Sequence, residues 1–245
     1  MTDFFQKTIL PNGVRVITER IPSVRSVSVG AWIGAGSRDE SDSESGMCHF
    51  IEHMVFKGTE KRRMHHIAQR MENVGGYLNA FTSKEYTCFY ARCLDEHLSR
   101  ALDTVIDLIY TPTFPAREIE KEKDVIVEEM KMYDDTPDDR VFDHLDRSLY
   151  SDNPLGRPII GSEESIRSFS RDGLIDFLRR HYNEKNTIIS IAGNVEHKRA
   201  VQLVQKYYSN PGLEGYQSER VTLPAYTPTN FIEKRPVQQA HLIVG

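Results

Sequence analysis

Cys48-His49-Phe50-Ile51-Glu52-His53-Met54-Val55-Phe56-Lys57-Gly58 is the segment from which the rest of the chain can be read. At about 100° per residue a helix gathers Met47, Phe50, Ile51, Met54 and Val55 on one face. His49, Glu52, His53 and Phe56 fall on the other. One side therefore belongs in a core, and the other presents two imidazoles one turn apart with a carboxylate beside them.

Two histidines at i and i+4 can point at one divalent ion, and a glutamate between them that does not ligate can take a proton from a water held there. The order here is H-x-x-E-H, the inversion of the commoner H-E-x-x-H. A helix with two surface histidines near a glutamate would read the same way over five residues. A third ligand is needed.

The 245 residues are enough for a substantial core, in one large domain or two small ones. A net charge of −5 with 27% charged residues includes no basic block suited to a phosphate backbone, so no nucleic-acid partner is expected. No apolar run approaches the roughly 20 residues that span a bilayer. The start, Met-Thr-Asp-Phe-Phe-Gln-Lys, has neither the apolar core of a secretory signal nor the Arg-rich character of a transit peptide. Cys48, Cys88 and Cys93 make no CxxC pair and no even framework. A cytoplasmic setting without membrane association is the expectation. Cys48 lies off the His/Glu face and reads as a packed thiol.

Phe4 to Leu10, an Asn12-Gly13 turn and Val14 to Glu19 form a predicted hairpin, followed by a strand over Ser26 to Ala35. A polar loop then leads to the motif helix, with Ser43 or Ser45 as its N-cap. A second helix spans about Met64 to Asn73, its adjacent His65 and His66 unable to face one site. Tyr77 to Arg92 is a second hairpin turning near Ser83-Lys84. Its first arm is short and follows two glycines, so it suits a sheet edge able to pair with an extended peptide, although an internal hairpin fits equally. Asp95 to Tyr110 is an amphipathic helix, and further helices are expected around Arg171 to Tyr182 and near Val201 to Tyr208, with a strand between them at Asn186 to Ala192. Pro211 to Asn230 reads as a linker. Phe231 to Lys234 and Gln239 to Gly245 read as strands that begin something new.

The helix from about Pro115 to Tyr133 carries the decisive stripe. Ile119, Glu122, Ile126, Glu129 and Tyr133 recur at spacings of three and four, which places two carboxylates on the inward face. Buried carboxylates are costly unless a cation balances them. Either both meet basic side chains or one meets a metal. Glu129 thus becomes the candidate third ligand and Glu122 a group that could orient an imidazole, while Glu128 falls outside the stripe. The acidic turn Asp134 to Asp139 opens a helix from about Arg140 to Tyr150 that carries Asp143. These acids suit a helix N-terminus. Near the site they would instead favour basic substrates.

Three segments resemble one family. Gly46-x-x-His-Phe-Ile-Glu-His-Met-x-Phe-Lys-Gly-Thr59, Gly75-Gly-x-x-Asn-Ala-x-Thr82 and Glu122-Lys-Asp-Val-Ile-x-x-Glu129 look like the catalytic half of the inverzincin (M16) peptidases. That family includes the mitochondrial processing peptidase β subunit, pitrilysin and insulin-degrading enzyme. The likeness is greatest to the bacterial processing-peptidase-like branch and covers about residues 3 to 215. It implies an α+β fold of the LuxS/processing-peptidase metallohydrolase kind, with a mostly antiparallel sheet covered by helices.

The resemblance further implies Zn2+ bound by His49, His53 and Glu129, with Glu52 activating water and Glu122 in support. The spacing from His53 to the distal glutamate selects Glu129 over Glu128. Asn79, Ala80 and Phe81 match the edge strand along which family substrates lie extended, and Phe56 resembles a side chain beside the scissile bond. Asp139 and Asp143 would form a pocket for a basic residue. Members of the branch look like two homologous halves, so the expected division is a catalytic domain over 1–215, a linker over 216–229 and the first strands of a second half over 230–245. Zinc binding is expected of this chain alone; efficient catalysis is expected to draw on a second half or on a homodimer partner. The expected function is zinc-dependent cleavage of extended peptides. The alternatives are an assembly or chaperone subunit without activity and a hydrolase of small molecules.

Overall fold

The structure is a computed structural model that describes residues 4–151, 153–208, 220–223, 225, 228–236 and 238–245. Six strands form one sheet: β1 (Gln6–Ile9), β2 (Arg15–Arg20), β3 (Ser26–Ile33), β4 (Tyr77–Thr82), β5 (Thr87–Leu94) and β6 (Thr187–Gly193). Their order is β1-β2-β6-β3-β5-β4. Only β2 and β6 run parallel, so the sheet is mostly antiparallel, as expected. The helices are α1 (Met47–Val55), α2 (Met64–Glu72), α3 (Leu98–Tyr110), α4 (Ala116–Asp134), α5 (Pro137–Leu149), α6 (Glu163–Ser168), α7 (Arg171–His181) and α8 (His197–Tyr207).

Alternation along the strands sets the layers. In β3, Val27, Val29, Ala31 and Ile33 are buried against the helices, while Ser26 and Ser28 are exposed on the other face. The same pleat turns Leu78, Ala80 and Thr82 of β4 inward, and Tyr77, Asn79 and Phe81 outward. Phe81 makes an edge contact with Trp32, the ring centroids 5.9 Å apart, on the outer face. Among the described residues β4 pairs with β5 alone and is an edge of the sheet.

Helix α1 sits beneath this edge with its apolar face in the core. Phe50, Ile51, Met54 and Val55 are fully buried, each contributing roughly 1.5–3 kcal/mol over exposure. Cys48 is also fully buried, and burial pushes its thiol well up, so it is inert. The expected capping by Ser43 or Ser45 does not occur. Gly46, at φ 90°, is the N-cap, and the buried Glu40 accepts hydrogen bonds from Gly46 N and Cys48 N, both at 2.8 Å. A Cβ on Gly46 would lie 2.6 Å from the carbonyl oxygen of Ile160, so the chain before α6 packs main chain to main chain against the start of α1.

Helix α5 starts at Pro137 rather than near Arg140, because proline at the first helical position has its φ preset and its missing N–H is no loss. The predicted strands at 231–234 and 239–245 do not form. A strand needs a neighbour for its main chain, and the described part of this segment lies along α5 instead, with Glu233 paired to Arg140 at 2.9 Å and His144 at 2.8 Å. Half of the predicted linker, 216–219, 224, 226 and 227, lies outside the described residues, as does all of 209–215.

Glu40→Ala would leave two buried amides without an acceptor and is expected to lower stability by about 1–3 kcal/mol, with Glu40→Gln costing less, in denaturant titrations. Burial pushes the Glu40 carboxyl up from 4.5 to about 8 against the pull of those amides. The folded value lies above the unfolded one, so the proton is held more tightly in the folded state. Stability from this group is full below pH 4.5 and is lost as pH rises through about 8. Wild-type stability should fall relative to Glu40→Gln across that window.

Candidate metal centre

The two faces read from the sequence meet between α1 and α4. His49 and His53 project from α1, with ring centroids 4.6 Å apart, and Glu129 reaches them from α4. Glu129 Oε1 is 3.9 Å from His49 Nε2, and Glu129 Oε2 is 3.7 Å from His53 Nε2. All three ligand atoms lie within 4.8 Å of one another. Bonds of about 2.0–2.1 Å at tetrahedral angles would set ligand atoms about 3.4 Å apart, so the triad fits zinc with a small contraction. Two neutral imidazoles and one carboxylate are also a donor set that zinc accepts.

Hydrogen bonding fixes the ring of His53. Its Nδ1 lies 2.8 Å from Glu122 Oε1, which assigns the proton to Nδ1 and leaves Nε2 free to face Glu129. Glu122 is buried and its second oxygen is 2.6 Å from Lys57 Nζ. Burial alone would raise the Glu122 carboxyl; the bonds from His53 and Lys57 outweigh it and hold the group below its ordinary value. Burial likewise works against protonating His53, but the Glu122 hydrogen bond and the charges of Glu129, Glu122 and Glu52 lift it above the ordinary value. His49 differs. Burial, aided by repulsion from His53, pushes it down to about 4, and its Nδ1 has no hydrogen-bond partner among the described residues.

Glu52 stands beside the triad, half-buried, and its carboxyl is raised by burial against a hydrogen bond from Thr82. Phe56 caps the C-terminus of α1 and is half-buried against the core. Asn79, Ala80 and Phe81 lie on edge strand β4, where Asn79 Oδ1 accepts from the Ala80 N–H at 2.9 Å. Glu128 is solvent-exposed and pairs with Lys131 at 2.6 Å, away from the triad. His65 and His66 are exposed on α2.

Asp139 is exposed and Asp143 half-buried on α5, one turn apart. Burial and the negative charges of Glu129, Asp139, Asp143 and Glu52 hold the Tyr133 hydroxyl above its ordinary value. The two aspartates and Glu129 thus all act on Tyr133. Asp143 also lines a cavity of about 310 Å³ between α4 and α5 with Met130, Arg140 and Ile160.

Three contributors carried no assigned role from sequence: Lys57, Glu40 and Thr82. Lys57 lies at i+4 from His53, a helical neighbour spacing that offered a signal. Glu40 sits in a polar run without periodicity and offered none.

The family model described as Insulinase (Peptidase family M16) matches residues 15–163, which hold all of the residues gathered here. A second model, Peptidase M16 inactive domain, matches residues 168–245. An uncharacterized zinc protease of Bacillus subtilis is 42% identical over 234 residues, covering 96% of this chain and 57% of its own length. A probable mitochondrial-processing peptidase subunit beta of Arabidopsis thaliana is 41% identical over 224 residues, 91% of this chain and 42% of its own. The crystal structure of a protease from Helicobacter pylori superposes with a TM-score of 0.81 at 22% identity, covering 91% of this chain and 53% of that one, a likeness of fold. The chain thus spans about half the length of the curated relatives it matches. Motifs, fold and matches agree: the chain belongs to peptidase family M16, the insulinase family of metallopeptidases, and corresponds to its N-terminal half.

Proposed function

We propose that this chain carries the catalytic centre of a zinc-dependent endopeptidase that takes its substrate as an extended strand. The observation that carries the reading is the convergence of His49, His53 and Glu129 within 4.8 Å, beside Glu52 and an unpaired strand edge. Bound zinc would supply polarisation of the scissile carbonyl and a water of lowered pKa, toward ~7. His49, His53 and Glu129 hold it, and Glu122, clamped by Lys57, keeps the His53 ring turned toward it. Glu52 takes a proton from the attacking water and delivers it to the leaving amine.

The substrate adds to β4. Ser83 N donates to Tyr86 O in the hairpin, and ladder bonds recur on alternate residues, so the main-chain groups of Leu78, Ala80 and Thr82 face the free edge. Pairing there is largely blind to sequence. Phe81 and the half-buried Phe56 line the path. Asp139 and Asp143, which share the surroundings of Tyr133 with Glu129, supply a preference for Arg or Lys near the cut.

A second homologous half or a second copy closes over the substrate, which fits relatives about twice as long. Three free, buried cysteines fit a cytoplasmic setting, and no helix among the described residues is long and apolar enough to cross a membrane. The match to an inactive-domain model begins at residue 168, beyond every residue of the centre, so it gives no support to a non-catalytic role for this half.

Glu52→Gln in the full-length protein should bind zinc one to one and lose about 10²–10⁴-fold in peptide hydrolysis; zinc binding with unchanged cleavage would end the reading. Glu122→Gln should weaken zinc about 10–100-fold in chelator competition. Asp139→Asn with Asp143→Asn should reduce cleavage of Arg- and Lys-containing peptides selectively, and an equal loss across a peptide library would reject the acidic pocket.

A further inference from the structure

β4 does more than offer its edge. The pleat turns the Thr82 side chain inward, and Thr82 Oγ1 donates a hydrogen bond of 2.6 Å to Glu52 Oε2. No other hydrogen bond to the Glu52 carboxylate is found among the described residues. The main-chain groups of Thr82 turn the other way, to the free edge, since the N–H of the next residue, Ser83, donates to Tyr86 O within the hairpin and ladder bonds recur on alternate residues. One residue thus touches the base through its side chain and faces an incoming peptide through its backbone.

We propose that Thr82 is the positioning residue for Glu52, locking the carboxylate so that Oε1 stays free for the proton and tying the placement of the base to the strand on which the peptide lies. This rests on the metallopeptidase reading above. A glutamate projecting from a helix has three side-chain torsions, and tying one oxygen down removes most of that freedom before substrate arrives. A misplacement of about 1 Å can cost about 10²-fold in rate. A purely structural threonine, satisfying its hydroxyl at the end of a strand, would affect folding or peptide affinity instead.

The test uses the full-length, zinc-loaded protein with an internally quenched peptide carrying one arginine. Thr82→Val keeps the shape and removes the donor; its kcat should fall by about 10–100-fold, with KM, zinc stoichiometry and melting midpoint within error of wild type. Thr82→Ser restores the hydroxyl and should recover most of that loss. The role is overturned by an unchanged kcat in Thr82→Val, by a loss confined to KM, by loss of zinc or fold, or by a serine variant as slow as the valine one. Wild type that binds zinc yet cleaves nothing overturns the parent reading and this one together. Cleavage by wild type with an unaffected Thr82→Val overturns the role of Thr82 alone.

Discussion

Charge balance between two helices is the constraint on which the molecule depends. α4 turns Glu122 and Glu129 toward α1, and a carboxylate taken out of water needs a positive partner or several donors. Lys57 and the His53 ring serve Glu122. Among the described residues Glu129 pairs only with the two imidazoles, which burial and mutual repulsion keep from both being charged. A divalent ion between them would balance that charge. The rest of the fold keeps α1 and α4 at that spacing: the sheet above α1, α5 and α6 beside α4, and the Glu40 carboxylate at the start of α1.

What the sequence made legible followed from periodicity. The two faces of α1 separated without a misplacement, because a nine-residue helix with five apolar residues on one side has one way to pack. The stripe on α4 separated Glu129 from Glu128 on the same grounds, and the exposed Glu128–Lys131 pair bears that out. The edge position of β4 was only one of two readings. Strand order is set by pairings between distant segments, and β6 enters between β2 and β3 from more than a hundred residues away.

Misreadings fell where a contact depends on distance along the chain or on a partner. The serines before α1 had suitable side chains, yet a glutamate further upstream takes their place because the loop folds back into the core. Phe231 to Lys234 and Gln239 to Gly245 have strand-like composition, but composition supplies no neighbour to pair with. The hydrogen bond of Thr82 was invisible for the same reason: it joins two elements whose relative rotation only the tertiary fold defines.

An open strand edge is a template for any extended chain, including the same strand of another molecule. Asn79 meets this hazard with its own side chain, whose carbonyl covers the amide of Ala80 in the middle of the rail. Any strand that paired there would have to displace that bond to reach the Ala80 amide. A single side-chain amide thus sets a local cost on edge-to-edge pairing.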